Sequence, residues 1–237
     1  MDGREESALD GIALLEPLSE AERRLIDERC SWRQYAAGEQ ILDRDSQTND
    51  VLFITKGEVR VVNYSASGRE TTFAVFQAGS HVGEIAAIDG EARSASVVAL
   101  KPCKVAALPA ERFRMLVENA AVASKLLRHL TAIIRITNER IAELSTVTAV
   151  QRIYRELLRL CEIGPGGTEA VISAMPTQHD LASKVGATRE TVARALGQLV
   201  NTGVIERRGR TLLIRDHEML TLMADPDGEI TSAAKDL

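Results

Sequence analysis

The sequence contains 237 residues, of which 45% are hydrophobic and 27% are charged, and its formal net charge at pH 7 is -5. This length is sufficient for two domains with separate cores, and the composition is that of a globular protein, which excludes the disordered and fibrous classes. The sequence has no apolar run long enough for a transmembrane helix and no basic-then-apolar leader, so we expect a cytoplasmic protein without membrane contact.

The cysteines and histidines are scattered along the chain, and no Cys-X-X-Cys or Cys/His spacing is present. An odd number of widely separated cysteines predicts reduced thiols rather than disulfides, zinc sites or iron-sulfur clusters. The histidines show no grouping either, which disfavours a haem sensor and metal-assisted phosphodiester hydrolysis. We therefore predict no metal site and no catalytic residue. The scattered residues are Cys30, Cys103, Cys161, His81, His129, His179 and His217.

The N-terminal half combines short helices with a β-rich region. A capping box begins at Ser19, so a short helix is expected to follow and to continue through Cys30. In residues 32–108, short β-rich runs alternate with turn glycines, which predicts a small antiparallel barrel or roll. Pro109 then begins a further helical stretch, which leads into a long helix.

The long helix is predicted for residues 120–147, where apolar residues recur at a spacing close to seven residues. This spacing is typical of a two-stranded coiled coil, so we expect a homodimer formed through residues 120–147. Thr137 interrupts the apolar seam. A polar residue at such a position either fixes the register of the two helices or has a further role, and the helix pattern alone leaves both interpretations open.

The C-terminal region has the pattern of a winged helix-turn-helix module. A second capping box begins at Thr148, which predicts a helix boundary and a hinge, and the Gly-Pro-Gly-Gly run at 164–167 ends the helix that follows. Two further helices meet at Gly186, and two short strands flank Gly209. Residues 176–215 contain seven basic and three acidic side chains, so this module is positive although the whole chain is acidic. That distribution indicates DNA binding at one end of the protein.

The segment 83–97, GEIAAIDGEARSASV, carries the strongest chemical signal of the β-rich half. Its beginning can form one helical turn whose amides point at an anion. The guanidinium of Arg93 and the hydroxyl of Ser94 suit phosphate oxygens, whereas the Glu84 carboxylate matches a sugar hydroxyl. The alternative is that Arg93 forms a surface salt bridge with Glu91 or Glu84.

As a unit, this segment resembles the phosphate-binding cassette of cyclic-nucleotide-binding domains, and the upstream runs GEQIL and ITKGEVRVV resemble earlier strands of that domain. The resemblance implies that Glu84 binds the ribose 2'-hydroxyl, that Arg93 and Ser94 bind the cyclic phosphate, and that Gly83 lets the backbone approach. Two features depart from the pattern: Asp45 replaces the usual turn glycine, and residues 80–82, Ser-His-Val, replace an acidic-aromatic approach. The implied ligand-binding residues of the segment are Gly83, Glu84, Ile85, Ala86, Arg93 and Ser94.

The second helix of the helix-turn-helix has an inward apolar stripe that leaves Arg189, Glu190 and Arg194 outward. Arginine forms bidentate bonds with guanine and glutamate accepts from the cytosine amino group, so these side chains suit base edges. The alternative is an ordinary surface ion pair between Glu190 and Arg194. The run VGATRETVARAL resembles the recognition helix of the catabolite activator, or cyclic AMP receptor, family of bacterial transcription factors, which implies GTGA-like half-sites. The DNA-binding residues so implied are Thr177, Gln178, Thr188, Arg189, Glu190, Thr191, Arg194, Arg208 and Arg210.

The order of parts matches this family over residues 19–214. In the family, the long helix supplies a threonine and a following polar residue, usually serine, to the base of the nucleotide, and Thr137 and Asn138 match those positions. The predicted fold is α+β, with an N-terminal antiparallel β-roll of the cyclic-nucleotide-binding type. The predicted parts are this β-roll domain at 1–118, a dimerisation helix at 119–147, a winged helix-turn-helix DNA-binding domain at 148–224 and a frayed tail at 225–237.

We therefore expect a homodimeric DNA-binding transcription regulator without catalytic activity, gated by a cyclic nucleotide, with cAMP as the preferred effector and cGMP as an alternative. Its expected partners are double-stranded DNA and a second copy of the chain, with RNA polymerase as a further candidate. The alternatives are a regulator of the same fold that answers to another effector or to none, a redox or haem sensor, and an enzyme or enzyme regulator. The nucleotide is expected to shift the population of helix arrangements and so to reorient the DNA modules across the Thr148 hinge.

Overall fold

The computed structural model describes residues 8–65, 68, 70–163 and 170–225. The chain forms two compact units, Met1–Ile136 and Thr137–Leu237, whose boundary falls within the long helix. The predicted turn at 164–167 and the predicted tail beyond residue 225 lie outside the described residues. Among the helices that the structure describes, none is long and apolar enough to cross a membrane.

Short antiparallel strands form the body of the first unit. They are β1 (Ser31–Tyr35), β2 (Gln40–Leu42), β3 (Val51–Lys56), β4 (Glu58–Tyr64), β5 (Glu70–Gln77), β6 (His81–Val82), β7 (Ser96–Ala99) and β8 (Cys103–Leu108). They form two sheets, with the strand orders β1-β8-β3-β6 and β2-β7-β4-β5. Alternate residues of β3 pack into two hydrophobic clusters, Phe53 into one and Leu52 and Ile54 into the other, because successive strand side chains point to opposite faces. The predicted antiparallel roll is confirmed.

The first unit also contains helices, the last of which continues into the second unit. They are α1 (Glu20–Asp27), α2 (Glu84–Asp89), α3 (Ala110–Val117) and α4 (Ala120–Thr146), and a short 3-10 helix precedes them at Ala13–Leu15. The predicted capping box at Ser19 is present, with its hydroxyl accepting from the Glu22 amide at 3.3 Å. Helix α1 ends at Asp27 instead of the predicted Cys30, because the Cys30 amide donates to the carbonyl only three residues earlier and β1 begins at Ser31.

Helix α4 is anchored at its start and exposed along most of its length. The Asn119 side chain accepts from the amides of Ala121 and Val122 at 3.0 and 3.4 Å, which satisfies donors that the first helical turn leaves unpaired. Val122 and Leu126 then pack into the core of the first unit. The helix predicted for residues 120–147 begins at Ala120 as expected and ends one residue early, at Thr146.

The second unit consists of small helices packed on a four-stranded antiparallel sheet. Its elements are α5 (Ala149–Leu160), β9 (Glu162–Ile163), β10 (Ala170–Ile172), α6 (Gln178–Val185), α7 (Arg189–Asn201), β11 (Ile205–Arg208), β12 (Thr211–Ile214) and α8 (His217–Ala224). The strand order within the described residues is β11-β12-β10-β9. The capping box that begins α5 is present, since the Thr148 hydroxyl accepts from the Gln151 amide at 3.3 Å. Helix α8 was not predicted, although Asp216 caps it by accepting from the Met219 amide at 2.8 Å.

Candidate functional site

Arg93 belongs to the loop between α2 and β7, but it is buried, and only 3% of its surface is exposed. Its Nε donates to the Thr48 hydroxyl at 3.2 Å, its Nη1 to the Gly83 carbonyl at 3.0 Å and its Nη2 to the Asp50 carbonyl at 2.8 Å. The alternative of a surface salt bridge with Glu91 or Glu84 is therefore wrong, because the guanidinium is buried and its bonds go to neutral oxygens. Burial lowers the pKa of Arg93, and the nearby charges of Asp50 and Glu84 raise it.

Gly83 closes the space around this guanidinium. Its φ of 91° lies in the left-handed region, and a Cβ at this position would lie 2.6 Å from Arg93 Nη1 and 2.9 Å from the Asp50 carbonyl oxygen. A side chain is therefore excluded both by the backbone conformation and by the neighbouring atoms. The sequence predicted that Gly83 allows a close approach of the backbone. In the structure, the group that the Gly83 backbone approaches is the guanidinium of Arg93.

Glu84, the first residue of α2, is also buried, with 5% of its surface exposed. Burial raises the pKa of the Glu84 carboxyl, while a hydrogen bond from its own backbone amide and the charges of His129 and Arg93 act in the opposite direction. Its Oε1 lies 3.8 Å from the Nε2 of His129, which is too long for a hydrogen bond. The carboxylate thus lies close to an imidazole and is influenced by the charge of Arg93.

Two histidines complete a buried polar cluster around Glu84. His81 on β6 and His129 on α4 have ring centroids 4.7 Å apart and an interplanar angle of 48°. In the described part of the chain, the Nε2 atoms of both rings are buried and have no hydrogen-bond partner. One candidate ligand atom from each of His81, Glu84 and His129 lies within 4.8 Å of the other two. The prediction that the histidines are not grouped is therefore wrong for this pair.

The electrostatics of the cluster keep His81 uncharged. Burial, and secondarily the neighbouring His129, lower the pKa of His81 to about 3. The sequence contained a partial signal, because His81 lies three residues before Glu84. It contained no signal for His129, which the packing of α4 brings to the cluster from a distant part of the sequence.

The second unit contains the predicted helix-turn-helix pair, α6 and α7. The Thr177 hydroxyl accepts from the Asp180 amide, and the Thr188 hydroxyl accepts from the Thr191 amide, each at 3.1 Å, so both predicted caps are present. Gly186, with φ of 66°, ends α6 in the left-handed conformation that the tight turn requires. The inward stripe of α7 is also present, since Val192 and Leu199 are fully buried.

The opposite face of α7 presents charged side chains to solvent. Glu190 and Arg194 form an ion pair at 3.7 Å, with side chains 78% and 73% exposed, so the predicted i, i+4 pair exists. Such an exposed pair contributes only about 0.3–0.5 kcal/mol and leaves both side chains accessible. Arg189 Nε donates to His179 Nδ1 at 3.2 Å, which orients the guanidinium at the start of the helix.

Strands β11 and β12 form a hairpin with arginines at its tip. Arg208 Nε donates to Glu206 at 2.8 Å, and Arg210 is exposed beside the turn at Gly209. Hydrogen bonds from Arg208 and Arg215 lower the pKa of Glu206. The hairpin has the form of a wing that can contact the phosphate backbone of DNA.

Residues 32–120 match the family model of the cyclic nucleotide-binding domain, and residues 151–223 match that of the Crp-like helix-turn-helix domain. The chain belongs to the catabolite activator, or CRP/FNR, family of transcription regulators. The chain is similar to the cAMP-activated global transcriptional regulator CRP of Salmonella typhimurium, with 26% identity over 192 residues that cover 78% of this chain and 90% of that protein. It is 28% identical, over 185 residues, to the CRP-like cAMP-activated global transcriptional regulator of Mycobacterium tuberculosis, with coverage of 76% and 82%.

A solved structure supports the same fold. The c-di-GMP responsive global regulator CLP of Xanthomonas campestris has a TM-score of 0.68 and 20% identity, and the match covers 83% of this chain and 99% of that chain. The predicted fold class is thus confirmed. The two family models and the relatives show that the protein is a DNA-binding transcription regulator with a cyclic-nucleotide-binding domain.

The residues predicted from the catabolite activator family fall into three groups in the structure. The first unit brings together Gly83, Glu84 and Arg93, with Ala86 buried, whereas Ile85 and Ser94 are exposed. Thr137 and Asn138 are exposed on α4, at the start of the second unit. The third group lies on α6, α7 and the wing. Its members Thr177, Gln178, Thr188, Arg189, Glu190, Arg194, Arg208 and Arg210 are exposed, and Thr191 is partly buried.

Proposed function

We propose that the protein is a homodimeric regulator whose DNA binding is gated by a cyclic nucleotide, with cAMP as the preferred effector. The observation that carries this proposal is the state of Arg93, a buried cation whose hydrogen bonds are to uncharged oxygens. A buried charge is costly unless it is both paired and hydrogen-bonded. The carboxylates of Asp50 and Glu84 are near, but within the described residues they accept no hydrogen bond from Arg93. Arginine has five N–H donors and three bonds are made within the described chain, so donors remain for two oxygens of a phosphate.

Glu84 and Ser94 supply the remaining contacts of the proposed nucleotide site. The Glu84 carboxylate accepts from the ribose 2'-hydroxyl, and the exposed Ser94 hydroxyl donates to the cyclic phosphate. Gly83, Ile85 and Ala86 line the same turn. Since Arg93 is almost fully covered, phosphate binding requires a local shift of the residues around it.

The proposed dimer forms along α4. Ile134, Ile141 and Leu144 are 59%, 57% and 49% exposed, which is unusual for large apolar residues at a spacing near seven. Thr137 interrupts this seam between Ile134 and Ile141, and with Asn138 it contacts the base of the nucleotide. A ligand bound at the pairing helices favours one arrangement of the two chains, which sets the positions of the DNA-binding units.

The proposed DNA target is a pair of GTGA-like half-sites. Arg189, Glu190 and Arg194 contact base edges from α7, while Arg208 and Arg210 contact phosphates from the wing. The two recognition helices must enter major grooves about 34 Å apart, so the dimer arrangement can control binding. RNA polymerase is a further proposed partner, and we propose no catalytic activity.

The alternative is a regulator of the same fold that responds to cGMP or another effector, or that binds DNA without one. Asn138 favours this alternative, because it occupies a position where the family usually has serine and it changes the reach of the side chain toward the base.

Titration calorimetry of the full-length protein with cAMP and with cGMP tests the proposal. Heat of binding with cAMP, together with tighter binding to a duplex carrying two GTGA half-sites in its presence, is the expected result. Absence of heat with both nucleotides would refute nucleotide gating, and a stronger response to cGMP would establish the alternative. A scrambled duplex of equal length is the control, because phosphate contacts alone give equal affinity for both sequences.

A further inference from the structure

The cluster of His81, Glu84 and His129 contains more polar atoms than nucleotide binding uses. His81 and Glu84 are each 5% exposed, and the two histidine Nε2 atoms lack partners within the described residues. Leaving buried polar atoms unpaired destabilises the folded state. The three side chains come from β6, α2 and α4 of one compact unit, and their convergence needs an explanation that sugar binding by Glu84 alone does not provide.

The ligand set has the chemistry of a transition-metal site. Two imidazole nitrogens and one carboxylate oxygen form the protein ligand set of many catalytic zinc sites, which leave a fourth position open. Ligands of one tetrahedral zinc ion lie about 3.4 Å apart, since each lies about 2.1 Å from the metal. The His129 Nε2 to Glu84 Oε1 distance is 3.8 Å, and all three candidate atoms lie within 4.8 Å of one another. Small side-chain rotations therefore suffice to bring them to bonding distance.

We propose that His81, Glu84 and His129 bind a late first-row divalent cation, with Zn2+ as the preferred ion. The cation occupies the centre of the three side chains and satisfies the unpaired imidazole nitrogens. Nitrogen ligands favour Zn2+ over Mg2+ and Ca2+, which prefer sites made of oxygen atoms alone. The single carboxylate of the site also interacts with the positive charge of Arg93. We therefore expect weaker zinc binding than in closed structural zinc sites, with a Kd in the micromolar range.

A bound ion would link the start of α2, through Glu84, to α4, through His129. The proposal does not rest on nucleotide gating, since the three side chains all belong to the first unit. Because Glu84 is also the proposed ribose ligand, zinc is titrated in the absence of nucleotide. Cys30, Cys103 and Cys161 are the competing ligands elsewhere in the chain, and the test must separate them from the cluster.

Zinc titration of the metal-free, full-length protein is the direct test. The protein is treated with EDTA, desalted and titrated with ZnCl2 by calorimetry, and one ion per chain is expected. Co2+ serves as a spectroscopic probe, because nitrogen and oxygen ligands give visible d-d bands without the thiolate charge-transfer band that cysteine ligands produce. Bound Zn2+ is also expected to raise the melting temperature, since a ligand that binds only the folded state stabilises it.

Two variants and a matched control locate the ion. His129→Phe retains a ring that packs against Phe76 and His81, and Glu84→Gln retains the size of the side chain. Each is expected to lower zinc affinity by more than about 100-fold, because loss of a ligand exceeds the effect of losing a supporting hydrogen bond. His217→Ala, at an exposed position of α8, should bind as the unmodified protein does.

Several outcomes would overturn the proposal. These are no zinc binding by the unmodified protein, a thiolate charge-transfer band with Co2+, or unchanged affinity in both folded variants. If His129→Phe does not fold, the zinc affinity of Glu84→Gln alone tests the proposal. That variant replaces one carboxylate oxygen with an amide nitrogen and keeps the shape of the side chain, so it is expected to fold.

Discussion

The backbone of Gly83 contacts the guanidinium of Arg93 so closely that no side chain can be placed at residue 83. The Gly83 carbonyl accepts from Arg93 Nη1 at 3.0 Å, and a Cβ added at Gly83 would lie 2.6 Å from the same nitrogen. The glycine therefore does two things at once: it adopts the left-handed conformation, and it leaves room for the guanidinium. This relationship explains how a cation is held beneath the turn that begins α2.

Replacing Gly83 with alanine is expected to destabilise the first unit by about 3 kcal/mol or more, through backbone strain and loss of the bond to Arg93. Gly90→Ala is the matched control, because its φ of 76° gives the same strain while a Cβ there meets no described atom within 4 Å. That variant should lose only about 1–2 kcal/mol. Denaturant unfolding followed by the fluorescence of Trp32, the single tryptophan, measures both. Equal losses would show that contact with Arg93 adds nothing.

Arg93→Ala is expected to weaken cAMP binding by about 1.5–3 kcal/mol, because a charged hydrogen-bond donor to the phosphate is lost. Calorimetry measures the affinity directly. Arg112→Ala on α3 serves as the control, since Arg112 is exposed and its side-chain bond is to Met115. An Arg93 variant that is folded and binds cAMP with unchanged affinity would refute the phosphate role.

Local sequence rules predicted much of this structure. The capping boxes at Ser19 and Thr148 and the caps at Thr177 and Thr188 were predicted from residues three positions apart, and all are present. Such signals are reliable because the cap and its partner amide belong to the same helical turn.

Interactions between distant segments could not be predicted in the same way. The carbonyl of Asp50 and the hydroxyl of Thr48 accept hydrogen bonds from Arg93, although each lies more than forty residues away from it in the sequence. His129 reaches His81 only because α4 packs on the roll. Both interactions arise because polar side chains are buried when distant segments pack together. A single sequence does not indicate which polar side chain will be buried against which partner.

Glu190→Ala is expected to relax the sequence preference of DNA binding at one base pair, by about 1–3 kcal/mol. Loss of the exposed pair with Arg194 should have little effect on stability. Arg208→Ala, in the wing, is the comparison, because loss of the phosphate contact proposed for Arg208 should weaken binding to all sequences about equally. Fluorescence anisotropy with duplexes that differ at single positions measures both effects. A uniform loss for Glu190→Ala would assign that side chain to a position away from the base edges.

Cys30 is expected to react very slowly with iodoacetamide at pH 8. Burial, with a smaller effect from Asp27, raises the pKa of the Cys30 thiol to about 12, so the thiolate forms only at much higher pH. Mass spectrometry of the alkylated peptides measures the reaction, and unfolding in guanidinium provides the control in which all cysteines react. Rapid labelling of Cys30 in the folded protein would reopen the hypothesis of a redox sensor.

Thr137→Ala is expected to separate nucleotide binding from DNA binding. The exposed seam on α4 contains Ile134 and Ile141 on either side of this residue, so alanine preserves an apolar path for dimer formation and removes the hydroxyl proposed to contact the base. Thr131→Ala is the matched control, because Thr131 lies on the same helix and its hydroxyl donates to the Leu127 carbonyl of that helix. Sedimentation should show unchanged dimers for both variants, while cAMP should enhance DNA binding only for Thr131→Ala. If cAMP enhances DNA binding by Thr137→Ala as well, the threonine serves helix packing and the ligand's base is held elsewhere.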